Sequence, residues 1–143
     1  MAAFTIAGVG SSGVAAKFPN VKVMRQVVDF TKFTVAAADT VEVFSVPAGS
    51  VVLSAGYEIL TAGTGTGTLA LGDGGDADRY VAAIVQTGAG QKAALATLVP
   101  HIYTAADTID FTVATATVNS KVNVWAVVAD CNNVEDEQFV TIA

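Results

Sequence analysis

The chain carries very little charge for its length. Only 14% of its 143 residues are Asp, Glu, Lys or Arg, while 52% are hydrophobic, against a charged share of about 25% in ordinary soluble domains. Because this apolar content can offset chain entropy, the chain is not expected to be disordered. With so few charges to keep it soluble, we expect other chains to cover much of its surface. The formal net charge of −6 argues against nucleic acid or an anionic membrane surface as partner, since both require a basic face.

Cysteine and histidine are each present only once, as Cys131 and His101. One cysteine excludes an intrachain disulfide and a cysteine-based zinc site. One histidine leaves little material for the common metal and catalytic arrangements. No apolar run approaches the roughly 18 residues of a transmembrane helix, and the N-terminus has no positive charge before Lys17, so it lacks the first region of a secretory signal. These absences predict a protein that is not an enzyme and needs no cofactor.

What the sequence does contain is an alternation of apolar and polar residues. In 109–114, Ile109, Phe111 and Val113 oppose Asp110 and Thr112. This period of two is typical of half-buried antiparallel strands. In 121–128, Val122, Val124, Ala126 and Val128 oppose Lys121 and Asn123; in 41–46, Val41 and Val43 oppose Glu42 and Phe44; further candidate strands are 21–35, 51–60, 67–71, 80–86 and 138–142.

Turn-forming clusters of Gly, Pro, Asn and Asp separate these segments, and about eight short strands at this spacing predict a sandwich or barrel. Residues 91–99 are the best helical window, favouring a short helix or irregular turn over a strand, because Ala and Leu are good helix formers and Pro100 would end the helix. Residues 1–20 are rich in Gly, Ala and Ser and predict an extended N-terminal arm. We therefore predict two parts, the arm at 1–20 and a single β-sandwich domain at 21–143.

The loop from Leu71 to Tyr80 places three carboxylates, Asp73, Asp76 and Asp78, on a glycine-rich backbone. Asp-Gly loops can supply the oxygen ligands that Ca²⁺ prefers. The spacing is not that of an EF-hand, and Arg79 could neutralise one of the acids. A solvated turn between strands is therefore the favoured interpretation, and Ca²⁺ at these three residues is the weaker alternative.

Two other patterns resemble functional motifs but are better explained without a function. The Gly-x-Gly run at 63–67 precedes a strand rather than a helix, so it predicts a hairpin connection instead of a phosphate loop. His101 with Asp107 or Asp110 and a serine could be imagined as a triad, but no Gly-x-Ser-x-Gly element presents the serine. Neither pattern supports catalysis.

Interface candidates follow from apolar residues with no obvious core. Trp125 shares the polar face of its strand with Lys121 and Asn123, so it is either an interface residue or part of a second buried face. The apolar residues of the arm are candidates for packing on a neighbouring subunit: Phe4, Ile6, Val9, Val14 and Phe18.

The stretch 39–52 resembles a recurring pattern in small structural proteins of tailed bacteriophages. There a strand ends in Val-Pro-Ala-Gly, here residues 46–49, and the next begins with β-branched residues, here Val51 and Val52. The Gly-Asp loop at 72–80 and the strand at 122–127 are similar to features of the same proteins, and the likeness covers roughly 37–128. It implies a capsid decoration (cement) protein with a jelly-roll-like β-sandwich, often trimeric.

From this resemblance we expect a non-enzymatic virion protein that is made in the host cytoplasm and decorates the capsid exterior as a homotrimer, with the major capsid protein as partner. An alternative is a carbohydrate- or receptor-binding module of a phage tail or fibre, with Trp125, Tyr57, Tyr80 and Tyr103 stacking on sugars. A third, weaker alternative is a metal-dependent hydrolase that uses the Asp73, Asp76 and Asp78 loop.

Overall fold

A computed structural model describes residues 20–90, 92–94, 100–115 and 117–131. They form nine β-strands, and every pair of neighbouring strands runs antiparallel. The strands are β1 Asn20–Asp29, β2 Thr40–Val46, β3 Ser50–Thr61, β4 Thr68–Asp73, β5 Asp76–Val85, β6 Lys92–Ala94, β7 His101–Ile102, β8 Asp107–Val113 and β9 Lys121–Asp130.

The strands build two sheets. One has the order β1-β9-β3-β6, with the two-residue β7 also paired to β3, and the other has the order β2-β8-β4-β5. Most connections pass from one sheet to the other, and only β4 and β5 are consecutive strands paired in one sheet. This interleaved order is that of an eight-stranded jelly roll made from two Greek keys. The predicted all-β antiparallel sandwich is confirmed.

The core lies between the facing sides of the two sheets. Alternate residues of β9 point inward, and Val122, Val124 and Ala126 are fully buried, as their pattern predicted. Across the core, Ile109, Phe111 and Val113 of β8 are equally buried. The Val-Pro-Ala-Gly turn separates β2 from β3 where the sequence placed it. Its Gly49 has a φ of 78°, a left-handed conformation that glycine adopts without steric cost.

The predicted alternation of β2 is wrong. The register to β8 shifts between Glu42 and Phe44, so that Glu42 lies opposite Asp110 and Phe44 opposite Ile109. Val43 is the extra residue of this bulge, and a bulge reverses which face the following residues occupy. As a result Phe44 is buried whereas Glu42 is exposed.

Two other local predictions are also wrong. Residues 92–94 form strand β6 rather than part of a helix, because β3 offers them a pairing partner, and such tertiary pairing overrides intrinsic propensity. The Gly63–Gly67 segment is not a hairpin, since it carries the chain from β3 in one sheet to β4 in the other.

Residues 95–99, the predicted strand 138–142 and residues 1–19 of the predicted arm lie outside the described residues. Across the described ranges, no helix is long and apolar enough to cross a lipid bilayer.

Candidate functional site

The acidic loop forms the tight hairpin between β4 and β5. Asp73 ends β4, Gly74 and Gly75 make the turn, and Asp76 begins β5. Asp73 is almost completely buried, and its Oδ1 accepts hydrogen bonds from the backbone N–H groups of Gly75 (3.0 Å) and Asp76 (2.9 Å). The predicted turn is therefore correct, but its first carboxylate is not solvated.

The other oxygen of Asp73 receives two side-chain donors. Arg79 Nε donates to Asp73 Oδ2, and the Tyr103 hydroxyl donates to the same oxygen at 2.8 Å. Burial alone would raise the pKa of Asp73, but the hydrogen bonds from Arg79 and Tyr103 and the positive charge of Arg79 hold this pKa below its usual value. The expectation that Arg79 neutralises one acid of the loop is confirmed.

The network extends to two more aromatic side chains. The hydroxyl groups of Tyr80 and Tyr103 are hydrogen-bonded to each other, and burial raises the pKa of Tyr80 to about 12. His101 packs edge-on against Tyr103, with ring centroids 4.7 Å apart, and its Nε2 lies 3.9 Å from Asp73 Oδ2. The acid beside His101 is thus Asp73, and not Asp107 or Asp110 of the imagined triad. These contacts hold the β4–β5 hairpin against β7 and the adjacent Tyr103.

The three loop carboxylates do not share one environment. Asp76 and Asp78 are exposed, and a hydrogen bond and charge repulsion from Asp76 raise the pKa of Asp78. Among the described residues, no group of three histidine, cysteine or acidic side chains is placed to hold a metal ion. Ca²⁺ at Asp73, Asp76 and Asp78 stays a prediction, and its geometric basis is weakened because four donors already surround Asp73.

A second buried network holds the Gly63–Gly67 segment. The amide nitrogen of Gln86, which is fully buried, donates to the carbonyl oxygens of Gly65 (3.3 Å), Gly67 (3.0 Å) and Thr117 (2.7 Å). Its Oε1 accepts from the backbone N–H of Asn119 at 3.0 Å. A Cβ on Gly65 would collide with the Thr117 carbonyl, so this glycine allows close backbone approach and has a structural purpose.

The outer side of the five-stranded sheet is a more distinctive surface. Residues paired in register share a face, so Val21, Ala129, Val51 and Ile102 lie in one row across β1, β9, β3 and β7. Val23 and Val127 lie in the next row. Val23 is 73% exposed and Ile102 is 60% exposed. We name the valine face for its seven residues: Val21, Val23, Val51, Ile102, Trp125, Val127 and Ala129.

Trp125 belongs to this outer face and not to the core. It lies between Arg25 of β1 and Gly56 of β3 and is half-buried. Arg25 Nε donates to Asn123 Oδ1 at 2.7 Å, a side-chain bond between β1 and β9. Of the two readings of Trp125, a residue on an outer face is the one that fits, while its role at an interface stays a prediction.

Sequence reasoning missed the rest of the valine face. The available signal was the run from Val122 to Ala129, which is apolar on both sides of the strand rather than on one. The interface candidates Phe4, Ile6, Val9, Val14 and Phe18 all lie outside the described residues.

Structure comparison finds chains from phage capsids. The fold is similar to a chain of the cyanophage Pam1 capsid asymmetric unit, with a TM-score of 0.65 and 26% identity over 90% of this chain and 97% of that one. It is also similar to a chain of an acid-stable capsid structure of Helicobacter pylori bacteriophage KHP30, with a TM-score of 0.62 and 11% identity over 79% and 90% of the two chains. A third similar chain belongs to the capsid of Ralstonia phage GP4, with a TM-score of 0.59 and 16% identity over 82% and 89%. No protein-family model and no curated protein matches the sequence.

Proposed function

We propose that this chain is a non-enzymatic phage structural protein that decorates and stabilises the outside of a capsid as a homotrimer. The observation that carries the proposal is the likeness to the Pam1 capsid chain, which spans 90% of this chain and 97% of that one. A chain of similar length and fold is thus part of a capsid asymmetric unit. The coarser assignment, a component of the virion, rests on this likeness alone.

The decorating role is supported by the surface. A decorating protein binds by area rather than by a catalytic pocket, and the valine face offers an apolar area in which Val23 and Ile102 are largely exposed. Large apolar side chains that are exposed together often mark a contact with a partner. We assign the valine face to contact with the shell of the major capsid protein.

A trimer could bind the shell firmly even if the contact made by each copy is weak. If each copy places one valine face on the shell, the second and third contacts form within an assembly that is already bound, which raises avidity without a tight single site. This is the reason for preferring a trimer to a monomer in a role that requires long residence on a large surface.

The sugar-binding alternative has little support, because most of the aromatic residues suggested for it are buried. Tyr57, Tyr80 and Tyr103 are all buried, and Tyr80 and Tyr103 point their hydroxyl groups at each other. Of the four aromatic residues suggested for stacking on sugar rings, only Trp125 lies on an outer face. An exposed platform of several aromatic rings is therefore not formed by these residues.

The experiment combines solution mass with binding to shells. Full-length protein is measured by light scattering, and is then sedimented with capsids of its own phage that were assembled without it. We expect a trimer that co-sediments, and a loss of binding of at least about tenfold for Val23→Glu, since a buried valine contributes about 1.5–3 kcal/mol.

Val85→Glu is the matched control. Val85 is 49% exposed but belongs to β5 of the four-stranded sheet, so the same substitution there should leave binding unchanged. A stable monomer with no affinity for shells would refute the proposed function. Equal loss of binding by both variants would refute the assignment of the valine face.

A further inference from the structure

Two strand edges lie beside each other on one side of the sandwich. β1 ends the five-stranded sheet and β2 ends the four-stranded sheet. A groove of about 330 Å³ runs between them, and both strands contribute to its walls. Its lining is mixed: five apolar side chains, those of Val27, Val28, Phe33, Val41 and Val43, lie beside four polar or charged ones. We call this site the edge groove.

The edge groove is held open by packing that already exists. The Phe33 ring lies 5.5 Å from the Phe30 ring, and Phe30 in turn packs edge-on against Phe111 of the core at 5.9 Å. The loop that carries Phe33 is closed by Asp29, whose Oδ1 accepts hydrogen bonds from the N–H (3.1 Å) and hydroxyl (2.6 Å) of Thr31. Phe33 nevertheless remains 43% exposed, so an apolar ligand would still gain contact area there.

The chemistry of the edge groove fits an extended apolar segment. The outer edges of β1 and β2 present backbone N–H and C=O groups that can pair with an added strand. Apolar side chains on alternate positions of such a strand would reach Val27 and Phe33, which line the groove. A compact ligand would not pair with the backbone groups along these two edges.

The chain itself contains a segment of this type. Nineteen residues precede β1, and the first nine, MAAFTIAGV, carry no charged side chain. Phe4 and Ile6 are two residues apart, so in an extended conformation they lie on the same side. Fully extended, nineteen residues span about 60 Å, which is enough to reach a neighbouring molecule.

Turn geometry favours the segment of a second copy over the chain's own. The turn-forming residues before β1 are Gly10-Ser11-Ser12-Gly13. A hairpin closed there would place residue 9 opposite residue 14 and residue 1 opposite residue 22. The proposed occupant, residues 3–9, would then lie opposite residues 14–20, which all precede Gln26, where the groove-lining part of β1 begins.

We propose that the edge groove binds residues 3–9 of a second copy of this chain as an added strand, with Phe4 and Ile6 directed into the groove. The inference rests on the self-association in the proposed function and deepens it, because it names the contact that joins the copies. It does not depend on the valine face or on the capsid as partner.

Cross-linking between two differently tagged, co-expressed full-length chains tests the proposal. Both carry Cys131→Ser, since Cys131 is exposed and would react. One chain also carries Ile6→Cys and the other Gln26→Cys, and a short bis-maleimide is added. We expect a cross-linked product that contains both tags. Val85→Cys replaces Gln26→Cys as the matched control and should give none.

Each result leads to a definite conclusion. A trimer by light scattering without the two-tag product overturns this inference and leaves the proposed function standing. A monomer by light scattering overturns both. A single chain with Ile6→Cys and Gln26→Cys that cross-links only within itself shows that the occupant is the chain's own segment, which overturns the choice of a second copy.

A substitution in the groove supplies an independent measurement. Phe33→Asp should reduce the trimer fraction at a fixed protein concentration by at least about tenfold in the association constant. Leu60→Asp is the control, because Leu60 is 40% exposed against 43% for Phe33 but does not line the groove. Equal trimer fractions for the two variants would contradict the proposal.

Discussion

Replacing Asp73 by asparagine removes one negative charge and almost no volume. In the native protein, Oδ1 accepts from two backbone N–H groups and Oδ2 accepts from Arg79 and Tyr103. An asparagine can keep its oxygen toward the two backbone donors. Its NH₂ group then faces Arg79, which has donors only. The substitution therefore tests the charge and the Arg79 bond while it leaves the turn intact.

The magnitude follows from burial. Removing one partner of a fully buried ion pair costs about 3–5 kcal/mol. The Asp73 side chain is 1% exposed, whereas that of Arg79 is 26% exposed, so solvent screens part of the interaction. We expect Asp73→Asn to lower the free energy of unfolding by about 2–4 kcal/mol at neutral pH, measured by urea denaturation at a fixed protein concentration.

The pH dependence gives the same reasoning a second test. Because the folded-state pKa of Asp73 is lowered, its contribution to stability is present above the unfolded value of about 3.9 and is lost as pH falls through the folded value. The difference between the native protein and Asp73→Asn should therefore shrink in this acid range. Asp76→Asn, at an exposed position of the same hairpin, should stay within about 0.5 kcal/mol of the native protein. Equal unfolding free energies for the two variants would refute the argument.

Three further predictions concern other buried polar or glycine positions. Gln86→Glu turns an oxygen toward three backbone carbonyls and should cost at least about 3 kcal/mol in urea denaturation; a near-native midpoint would contradict this account. Asp110 is buried with an unpartnered Oδ1, and burial raises its pKa. Because the folded pKa is the higher one, the cost of this charge is fully present above the folded pKa and fades as pH falls to the unfolded value of about 3.9. Asp110→Asn should therefore raise stability at neutral pH by roughly 1 kcal/mol, and the gain should vanish below that unfolded value. A Cβ at Gly72 would collide with the Asp76 carbonyl, so Gly72→Ala should lower the midpoint of thermal unfolding, whereas Asp76→Ala, at an exposed side chain, should change it little.

The sequence could predict the strands and turns that follow from a local residue pattern. β8 and β9 each bury one alternating face, and Val-Pro-Ala-Gly places a turn by local backbone geometry, so neither depends on distant residues. The prediction for β2 fails because its bulge at Val43 arises from the pairing with β8. The helix prediction for 92–94 fails because the strand partner of these residues, β3, lies more than thirty residues away in sequence.

The same contrast between local patterns and contacts distant in sequence explains which features of the sites could be predicted. The Asp-Gly spacing revealed the hairpin, and nearby Arg79 was recognised as its counter-charge. The burial of Asp73 depends on Tyr103, which is 30 residues away, and no local pattern connects them. The valine face needs the register of four strands, and composition showed only that some apolar surface would be left over.

The pairing of the first and last described strands also has a consequence for biosynthesis. Asn20 lies opposite Asp130 in the β1–β9 ladder, and β9 stands between β1 and β3. At about 5–20 residues per second, the ribosome must make a further 110 residues after Asn20 before that partner exists. β1 and β3 cannot join one sheet until β9 inserts between them. We therefore expect folding to be completed after β9 emerges, and a chain truncated before β9 to leave β1 unpaired and one edge of β3 open.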